Sequence, residues 1–157
     1  MKEIIIYTDG GCNGNPGPGG YGVVLKNGKH RKELSGGFSH TTNNRMELMA
    51  CIVGLEALKY KCSVMIHSDS KYVVESITLG WAERWKANNW KRNKKDKAEN
   101  IDLWDRLLTL IDRHETKFKW IKGHSGIKEN EICDQLAKKA ASMKNLSEDE
   151  NYIKKET

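Results

Sequence analysis

Apolar and polar residues recur along this chain with two different periods, and these periods divide it into strands and helices. Alternating or short unbroken apolar runs predict strands at residues 3–9, 20–26, 30–38, 64–68 and 116–121. Apolar residues three or four apart predict helices at residues 44–58, about 70–79, 81–86, 100–112 and 128–142. Residues 88–98 are polar and predict a loop, and glycine-rich residues 10–20 predict another.

The order of these elements predicts an α/β fold with a five-stranded mixed sheet. The first three strands follow one another through short connections, as in an antiparallel meander. The fourth and fifth strands are each reached through helices, which adds two parallel strands and places helices on the faces of the sheet. A length of 157 residues suits one domain. We expect that domain to span residues 1–142, with residues 143–157 forming a polar, flexible tail.

Two of the predicted strands end in the same way, with a hydroxyl residue followed by an aspartate. One closes with Thr8 and Asp9, and the other with Ser68 and Asp69. If these strands are parallel neighbours, their ends lie about 4.8 Å apart. At that distance either one carboxylate keeps its proton or a cation lies between the two. A site made only of oxygen ligands favours Mg²⁺ or Mn²⁺. Taken singly, Asp9 could belong to a turn and Asp69 could cap a helix.

Two further acids could join this pair. Glu47 is expected in the first turn of the helix over residues 44–58. Three small residues share its helix face, Ala50, Cys51 and Gly54, and a small-residue face can approach a sheet closely enough to carry Glu47 inwards. The alternative for Glu47 is a favourable interaction with the helix dipole. The alternative for Asp134, in the last helix, is an ordinary solvated position.

The positive charge of the chain is concentrated in one segment. The formal net charge is +6, and residues 84–97 carry seven basic residues and one acid, so the rest of the chain is neutral. This predicts a localised anionic partner, most simply a phosphate backbone. Trp81, Trp85 and Trp90 are interleaved with the bases; they either contact nucleic acid or, for Trp81 and Trp85, anchor the segment to the core. Trp104 and Trp120 are expected in the core.

Composition argues against other classes of protein. No run of about 20 apolar residues could span a bilayer, and the N-terminus enters a strand pattern instead of a signal peptide. The cysteines show neither C-x-x-C pairing nor zinc spacing, so we expect reduced thiols at Cys12, Cys51, Cys62 and Cys133. A cytoplasmic protein without membrane association is expected.

Six short motifs together resemble those of one known family. They are TDG at 8–10, NGNPG at 13–17, TTNNRMEL at 41–48, SDS at 68–70, WIKGH at 120–124 and NEICD at 130–134. In this order they closely resemble type 1 ribonuclease H, over about residues 2–141. The resemblance implies the ribonuclease H fold and an endonuclease that hydrolyses the RNA strand of RNA–DNA hybrids without sequence preference. It also implies 5′-phosphate and 3′-hydroxyl products and a role in removing primers and R-loops.

For the chemistry, the resemblance implies a four-carboxylate site that holds two Mg²⁺ ions, with Mn²⁺ as a possible substitute. In that scheme Asp9 bridges both ions, and Asp134 helps to hold the ion that activates water. Glu47 and Asp69 hold the ion that stabilises the leaving 3′ oxygen. His124, in a loop between glycines, would assist proton transfer or product release.

The resemblance also implies which residues contact the hybrid. Cys12, Gly14 and Asn15 would face the RNA strand, recognised by its 2′-hydroxyls. Asn43 and Asn44 would face the minor groove, and Thr42 a DNA phosphate. The alternatives are a simple connector for the glycine-rich loop and plain helix capping for the two asparagines.

Residues 81–98 resemble the family's basic protrusion, which grips the DNA strand. Its expected contact residues are Trp81, Arg84, Trp85, Lys86, Trp90, Lys91 and Arg92. The chain departs from the family pattern at His40, where arginine is common, and at Arg84, where asparagine is common. Membership of the DNA-phosphate pocket is therefore left open.

Two other functions compete with this one. A non-catalytic module that binds hybrids would not need all four acids and His124. A related nuclease acting on DNA junctions or transposon ends is less consistent with the motifs at 13–17 and 42–44. The expected partner is therefore an RNA–DNA hybrid, bound by a stand-alone monomer.

Overall fold

The structure is a computed structural model that describes the backbone of residues 1–156 and the side chains of residues 1–154. The strands are β1 (Lys2–Cys12), β2 (Gly17–Asn27), β3 (His30–Thr41), β4 (Cys62–Ser68) and β5 (Glu115–Trp120). The helices are α1 (Asn43–Glu56), α2 (Lys71–Thr78), α3 (Trp81–Ala87), α4 (Ile101–Asp112), α5 (Lys128–Ala141) and α6 (Glu150–Glu156). Among the described residues, no helix is both long and apolar enough to cross a membrane.

The five strands form one mixed sheet in the order β3-β2-β1-β4-β5. Strands β1, β2 and β3 are antiparallel neighbours, while β4 is parallel to both β1 and β5. The predicted α/β fold is therefore confirmed, including the antiparallel meander and the two parallel strands.

Most of the glycine-rich segment over residues 10–20 extends strands β1 and β2, although the sequence predicts a loop there. The reason is the close approach of α5 to the backbone of β2. A Cβ atom on Gly20 would lie 2.3 Å from the carbonyl oxygen of Ala137, and one on Gly22 would lie 2.3 Å from that of Cys133. These glycines let the backbone of α5 pack directly against β2, which brings Asp134 of α5 close to the sheet.

Helix α1 lies against the opposite face of the sheet and is equally close. A Cβ atom on Gly10 would lie 2.4 Å from the carbonyl carbon of Met46, and one on Gly54 would lie 3.0 Å from Ile6 Cγ2. The expected inward-packing face of small residues is present, and it brings Glu47 to the carboxyl end of β1.

The start of α1 differs from the prediction by enough to change the interpretation of Glu47. Thr42 is the N-cap, since its hydroxyl accepts a hydrogen bond from the Arg45 backbone N–H at 3.2 Å, and the helix begins at Asn43. Glu47 is therefore the fifth helical residue and lies beyond the first turn, so a first-turn interaction with the helix dipole does not explain it.

The hydrophobic core lies between the sheet, α1 and α4. Trp104 of α4 is completely buried there, as expected, with its indole N–H donating to the Tyr72 hydroxyl at 2.8 Å. Trp120 is different: it ends β5 with 41% of its surface exposed, so its assignment to the core is wrong. A strand that ends at a sheet edge leaves its last side chain beside solvent even where the alternating pattern continues.

The C-terminal segment is held against the domain, whereas the sequence predicts a flexible tail from residue 143. The Ser39 N–H donates to the carbonyl of Ser147 at 2.9 Å, and residues 150–156 form α6. Asp149 is only 7% exposed and pairs with the buried guanidinium of Arg45. A polar composition could not reveal this contact, because it depends on one carboxylate meeting one buried cation more than 100 residues away in the chain.

Candidate active site

The carboxylates of Asp9 and Asp69 lie at adjacent ends of two parallel strands. Thr8 of β1 and Ser68 of β4 are direct partners in the register, and each is followed by its aspartate. Asp9 remains within β1 opposite Gly22, so it is not a turn residue. The N-cap of α2 is Ser70, whose hydroxyl accepts from the Val73 N–H at 3.2 Å, so the Asp69 carboxylate does not cap that helix.

Glu47 joins these two aspartates from the side of α1. One carboxylate oxygen from each of Asp9, Glu47 and Asp69 lies within 4.8 Å of the other two. Glu47 Oε1 is buried and has no hydrogen-bond partner among the side chains and backbone that the structure describes. An unsatisfied buried carboxylate oxygen is costly, and a cation is the partner that would remove this cost.

Burial and mutual repulsion make this cluster reluctant to ionise fully. The pKa of Asp9 is raised to about 8, first by burial and next by the charge of Asp69. Burial also raises the pKa of Glu47 well above its usual range, and the charge of Asp9 adds to that effect. The cluster can therefore keep protons or exchange them for a positive ion, as expected for crowded carboxylates.

Asp134 approaches from α5, on the other side of the same cleft. It is not one of the group of three that lie within 4.8 Å of one another, but it is close enough to Asp9 to add to the rise of that residue's pKa. Its Oδ2 also accepts from Lys138 Nζ at 3.1 Å, one helical turn further on. Its side chain is 24% exposed, so it is neither buried nor fully solvated. The ammonium of Lys138 occupies the kind of position that a cation beside Asp134 would take.

These acids line a cleft of about 420 Å³. Its wall includes the four carboxylates, His124 and part of the glycine-rich segment: Asp9, Gly10, Gly11, Cys12, Asn13, Asn43, Glu47, Asp69, His124, Asp134, Ala137, Lys138 and Ala141. His124 is exposed and has a positive φ of 54°. The structure thus brings all five predicted catalytic residues to one cleft.

Two residues that support Asp69 were not predicted as part of the site. The Trp120 indole N–H donates to the Asp69 carbonyl at 3.1 Å. A Cβ atom on Gly123 would lie 2.7 Å from Asp69 Oδ2, so only glycine leaves room for that carboxylate. The WIKGH motif contains both residues, but the sequence alone does not indicate which strand end they support.

The segment between β1 and β2 is tied to the start of α1 by asparagine side chains. Asn43 Oδ1 accepts from the Cys12 N–H at 2.8 Å, and the Asn43 N–H donates to Asn15 Oδ1 at 3.1 Å. Because Thr42 is the N-cap, plain helix capping does not explain Asn43. Asn43 is exposed and lines the cleft, Asn44 is exposed next to it in the chain, and Gly14 is exposed in the turn at residues 13–16.

The basic protrusion consists of α3 and the loop that follows it. A groove of about 710 Å³ runs along it, lined by Trp81, Arg84, Trp85, Ala87, Asn88, Lys91, Arg92 and Asn93. Trp85 meets the ring of Trp104 edge to face at a centroid distance of 6.0 Å, whereas Trp81 is 37% exposed. Trp85 therefore anchors the protrusion, and Trp81 is available at its surface.

Three predicted contact residues of the protrusion have partners within the protein. Arg84 donates to the carbonyl of Leu79 at 3.1 Å, and Lys86 pairs with Asp105 at 3.0 Å on the surface. Trp90 is half-buried against the hydrophobic core and does not line the groove. Lys91 and Arg92 are exposed along the groove, where their charges face solvent.

Clustered carboxylates at parallel strand ends, together with a basic groove on the same chain, define a nuclease of the divalent-metal class. The family model of RNase H matches residues 1–142. A ribonuclease H of Rippkaea orientalis is 60% identical over 154 residues, which cover 98% of this chain and 94% of the relative. The chain belongs to the ribonuclease H family, and it is a nuclease; metal-dependent chemistry is a property of that family.

Solved structures agree with this assignment. LC9-RNase H1, described as a type 1 RNase H with the type 2 active-site motif, has a TM-score of 0.80 at 30% identity, over 90% of this chain and 72% of that one. LC11-RNase H1, solved in complex with RNA/DNA hybrid, has a TM-score of 0.64 at 25% identity, over 88% of this chain and 99% of that one.

Proposed function

We propose that this protein hydrolyses the RNA strand of RNA–DNA hybrids, as an endonuclease with two divalent metal ions. The observation that carries the proposal is the buried, unpartnered Oε1 of Glu47 within a group of three crowded carboxylates. That group lies in a cleft partly lined by the glycine-rich segment, and the same chain carries a basic groove on the protrusion. The hybrid found with LC11-RNase H1 supports the choice of substrate.

The residues present fit a hard divalent cation. All donors are carboxylate oxygens, which suit Mg²⁺ and, as a substitute, Mn²⁺. Burial first, and then the neighbouring carboxylates, raise the pKa values of Asp9 and Glu47, and a bound cation would favour the ionised form of both. Asp9, Glu47, Asp69 and Asp134 would hold the ions, which when bound polarise the scissile phosphate and lower the pKa of water.

The protein's own groups supply orientation and proton transfer around that site. Asp9 and Asp69 are held by strand ends and Glu47 by a helix packed tightly on the sheet, so their positions require little reorganisation when a phosphate arrives. Lys138 would release Asp134 when a cation takes its place. His124, exposed at the cleft wall, could receive or donate a proton near the reacting phosphate. The products would carry 5′-phosphate and 3′-hydroxyl ends.

Selection of the hybrid follows from the two surfaces beside the cleft. The segment containing Cys12, Gly14 and Asn15 presents backbone groups to a minor groove, where 2′-hydroxyls mark the RNA strand. Asn43 lines the cleft and accepts from the Cys12 N–H, and Asn44 is exposed next to it in the chain. The protrusion, with Trp81, Lys91 and Arg92, would bind the DNA strand through its phosphates without reading sequence.

A single set of assays tests this function. Matched RNA–DNA, RNA–RNA and DNA–DNA duplexes are incubated with the protein, with and without Mg²⁺, and the ends of any products are identified. Loss of RNA from the hybrid alone, in the presence of Mg²⁺, is the expected result. Cleavage of duplex DNA would instead support a junction or transposon nuclease.

A non-catalytic hybrid-binding module is the alternative, and Asp9→Asn separates the two. The variant should still bind a hybrid but no longer cleave it, whereas a binding module would show no cleavage before or after the change. All four cysteines are free thiols, which suits a reducing compartment, and we propose a cytoplasmic enzyme. One chain carries both the acids and the protrusion, so we propose that it acts as a monomer.

A further inference from the structure

Arg45 and Asp149 form a buried ion pair directly behind the start of α1. Arg45 is 3% exposed and Asp149 is 7% exposed. The guanidinium donates from Nε to Asp149 Oδ2 at 2.6 Å and from Nη2 to Asp149 Oδ1 at 2.9 Å. A charge pair this deeply buried is costly unless its hydrogen bonds are well made, and here they form the parallel two-bond arrangement that arginine favours.

Asp149 also holds the strand residue that precedes the predicted DNA-phosphate contact. The hydroxyl of Thr41 donates to Asp149 Oδ2 at 2.7 Å, and Thr41 is completely buried. The next residue, Thr42, is half-buried and caps α1 through the N–H of Arg45. Asp149 therefore binds both Thr41, which precedes Thr42 in the chain, and Arg45, whose backbone N–H donates to the Thr42 hydroxyl.

The rest of the C-terminal segment reinforces the same place. Ser147 pairs with the end of β3 through the Ser39 N–H. The ring of Tyr152 lies 5.6 Å from the ring of His40 and 5.9 Å from the guanidinium carbon of Arg45. Residues 147–152, here named the C-terminal strap, thus contact four positions around Thr42.

Asp102 offers a comparison, because it binds the same guanidinium from a different side. Arg45 Nη1 and Nη2 donate to its two carboxylate oxygens at 2.9 and 2.7 Å. Asp102 belongs to α4 and its side chain is 30% exposed. Both aspartates balance the charge of Arg45, but only Asp149 also accepts from Thr41.

We propose that Asp149 is a positioning residue for substrate: through Thr41 and Arg45, the C-terminal strap holds Thr42 in place to receive a phosphate of the DNA strand. The proposal rests on the hybrid-cleaving function proposed above. It assigns to the strap a part in hybrid affinity, in addition to its packing. Asp149 touches neither the acids nor the cleft, so the chemical step itself should be unaffected.

The test compares Asp149→Ala, Asp102→Ala and Thr41→Val in the full chain. Asp149→Ala leaves Arg45 paired with Asp102, and Asp102→Ala leaves it paired with Asp149, so neither change strands a buried charge. Thr41→Val removes only the hydroxyl that reaches Asp149. KM and kcat on a hybrid are measured with Mg²⁺, hybrid Kd is measured with Ca²⁺ in place of Mg²⁺, and urea unfolding reports stability.

Asp149→Ala should raise KM and Kd by about tenfold, and Thr41→Val should raise both by about threefold. In both variants kcat should stay within about twofold of wild type. Asp102→Ala should lower the urea midpoint but leave KM within about twofold. The proposal would be wrong if Asp149→Ala and Asp102→Ala had the same KM and Thr41→Val had the KM of wild type. The strap would then have only a structural role. Failure of wild type to cleave hybrids would refute the proposed function instead, and the Kd measurements would still test the strap.

Discussion

Thr8 on β1 and Ser68 on β4 are paired across the parallel register, and this pairing sets the position of the two acids that follow them. Asp9 belongs to β1 itself, and Asp69 directly follows the last residue of β4, so the backbone of both acids is tied to the sheet. The sheet therefore holds two acids together in a buried place, at a cost that is visible in the pKa of Asp9, which is raised first by burial and next by the charge of Asp69. That cost is what a bound cation would relieve.

The first prediction concerns the metal-free protein. The pKa of Asp9 rises from about 3.8 to about 8 on folding, so between these values the native state binds more protons than the unfolded state. Its contribution to stability is complete below about pH 4 and is lost as the pH rises to about 8. Urea unfolding in EDTA should show the free energy of unfolding falling across this range, with a slope of up to about 1.4 kcal/mol per pH unit.

Asp9→Asn should remove much of that pH dependence, because the amide does not ionise, and the metal-free variant should be more stable than wild type at pH 8. Asp112→Asn, which removes an exposed carboxylate from α4, controls for net charge. Added Mg²⁺ should stabilise wild type at pH 8 more than Asp9→Asn. If the free energy of unfolding depended on pH in the same way in wild type and Asp9→Asn, the folded structure would not raise the pKa of Asp9.

Gly123→Ala should damage catalysis without unfolding the protein. The added Cβ would lie 2.7 Å from Asp69 Oδ2, so the carboxylate must move by a few tenths of an ångström or more. A displaced ligand should lower kcat by at least about tenfold, with hybrid Kd in Ca²⁺ nearly unchanged. Lys122→Ala changes an exposed side chain of the same loop without adding bulk beside Asp69, and it should retain activity. Full activity of Gly123→Ala would mean that Asp69 tolerates displacement.

The sequence predicts the part of the site that follows from regular structure. Asp9 and Asp69 come together because two apolar runs of the same kind pair in parallel, and Glu47 turns inwards because small residues share its helix face. Both inferences need only the periods of strands and helices. The sheet order follows in the same way from the connections between elements.

The parts that could not be predicted depend on single contacts between distant segments. Nothing periodic marks Asp149 as the partner of Arg45, or Trp120 as the donor to the Asp69 carbonyl. The interpretation of residues 10–20 as a loop failed for a similar reason. A glycine read from its sequence neighbours alone indicates a turn. Here Gly20 lies within a strand and leaves room for the backbone of α5.

Replacement of Lys91, Arg92, Lys94 and Lys95 by glutamine should weaken hybrid binding and reduce its dependence on salt. All four side chains are exposed on the protrusion. Each lost contact between a basic side chain and a phosphate should reduce the magnitude of the slope of log K against log salt concentration by about 0.9. The matched control replaces four other exposed lysines by glutamine, at the end of the sheet away from the carboxylates: Lys29, Lys32, Lys59 and Lys61. An unchanged slope in the protrusion variant, or an equal weakening in the control, would remove the protrusion from binding.

Trp81 and Trp85 should separate binding from stability, although they lie one helical turn apart on α3. Trp85→Ala removes the edge-to-face contact with Trp104 and should cost about 3 kcal/mol in the free energy of unfolding. Trp81→Ala removes a side chain that is 37% exposed, so stability should change by less than about 1 kcal/mol. Its hybrid Kd in Ca²⁺ should nevertheless rise several-fold, because the variant lacks an exposed aromatic surface beside basic residues. If Trp81→Ala bound hybrid like wild type, affinity would reside in the basic side chains alone.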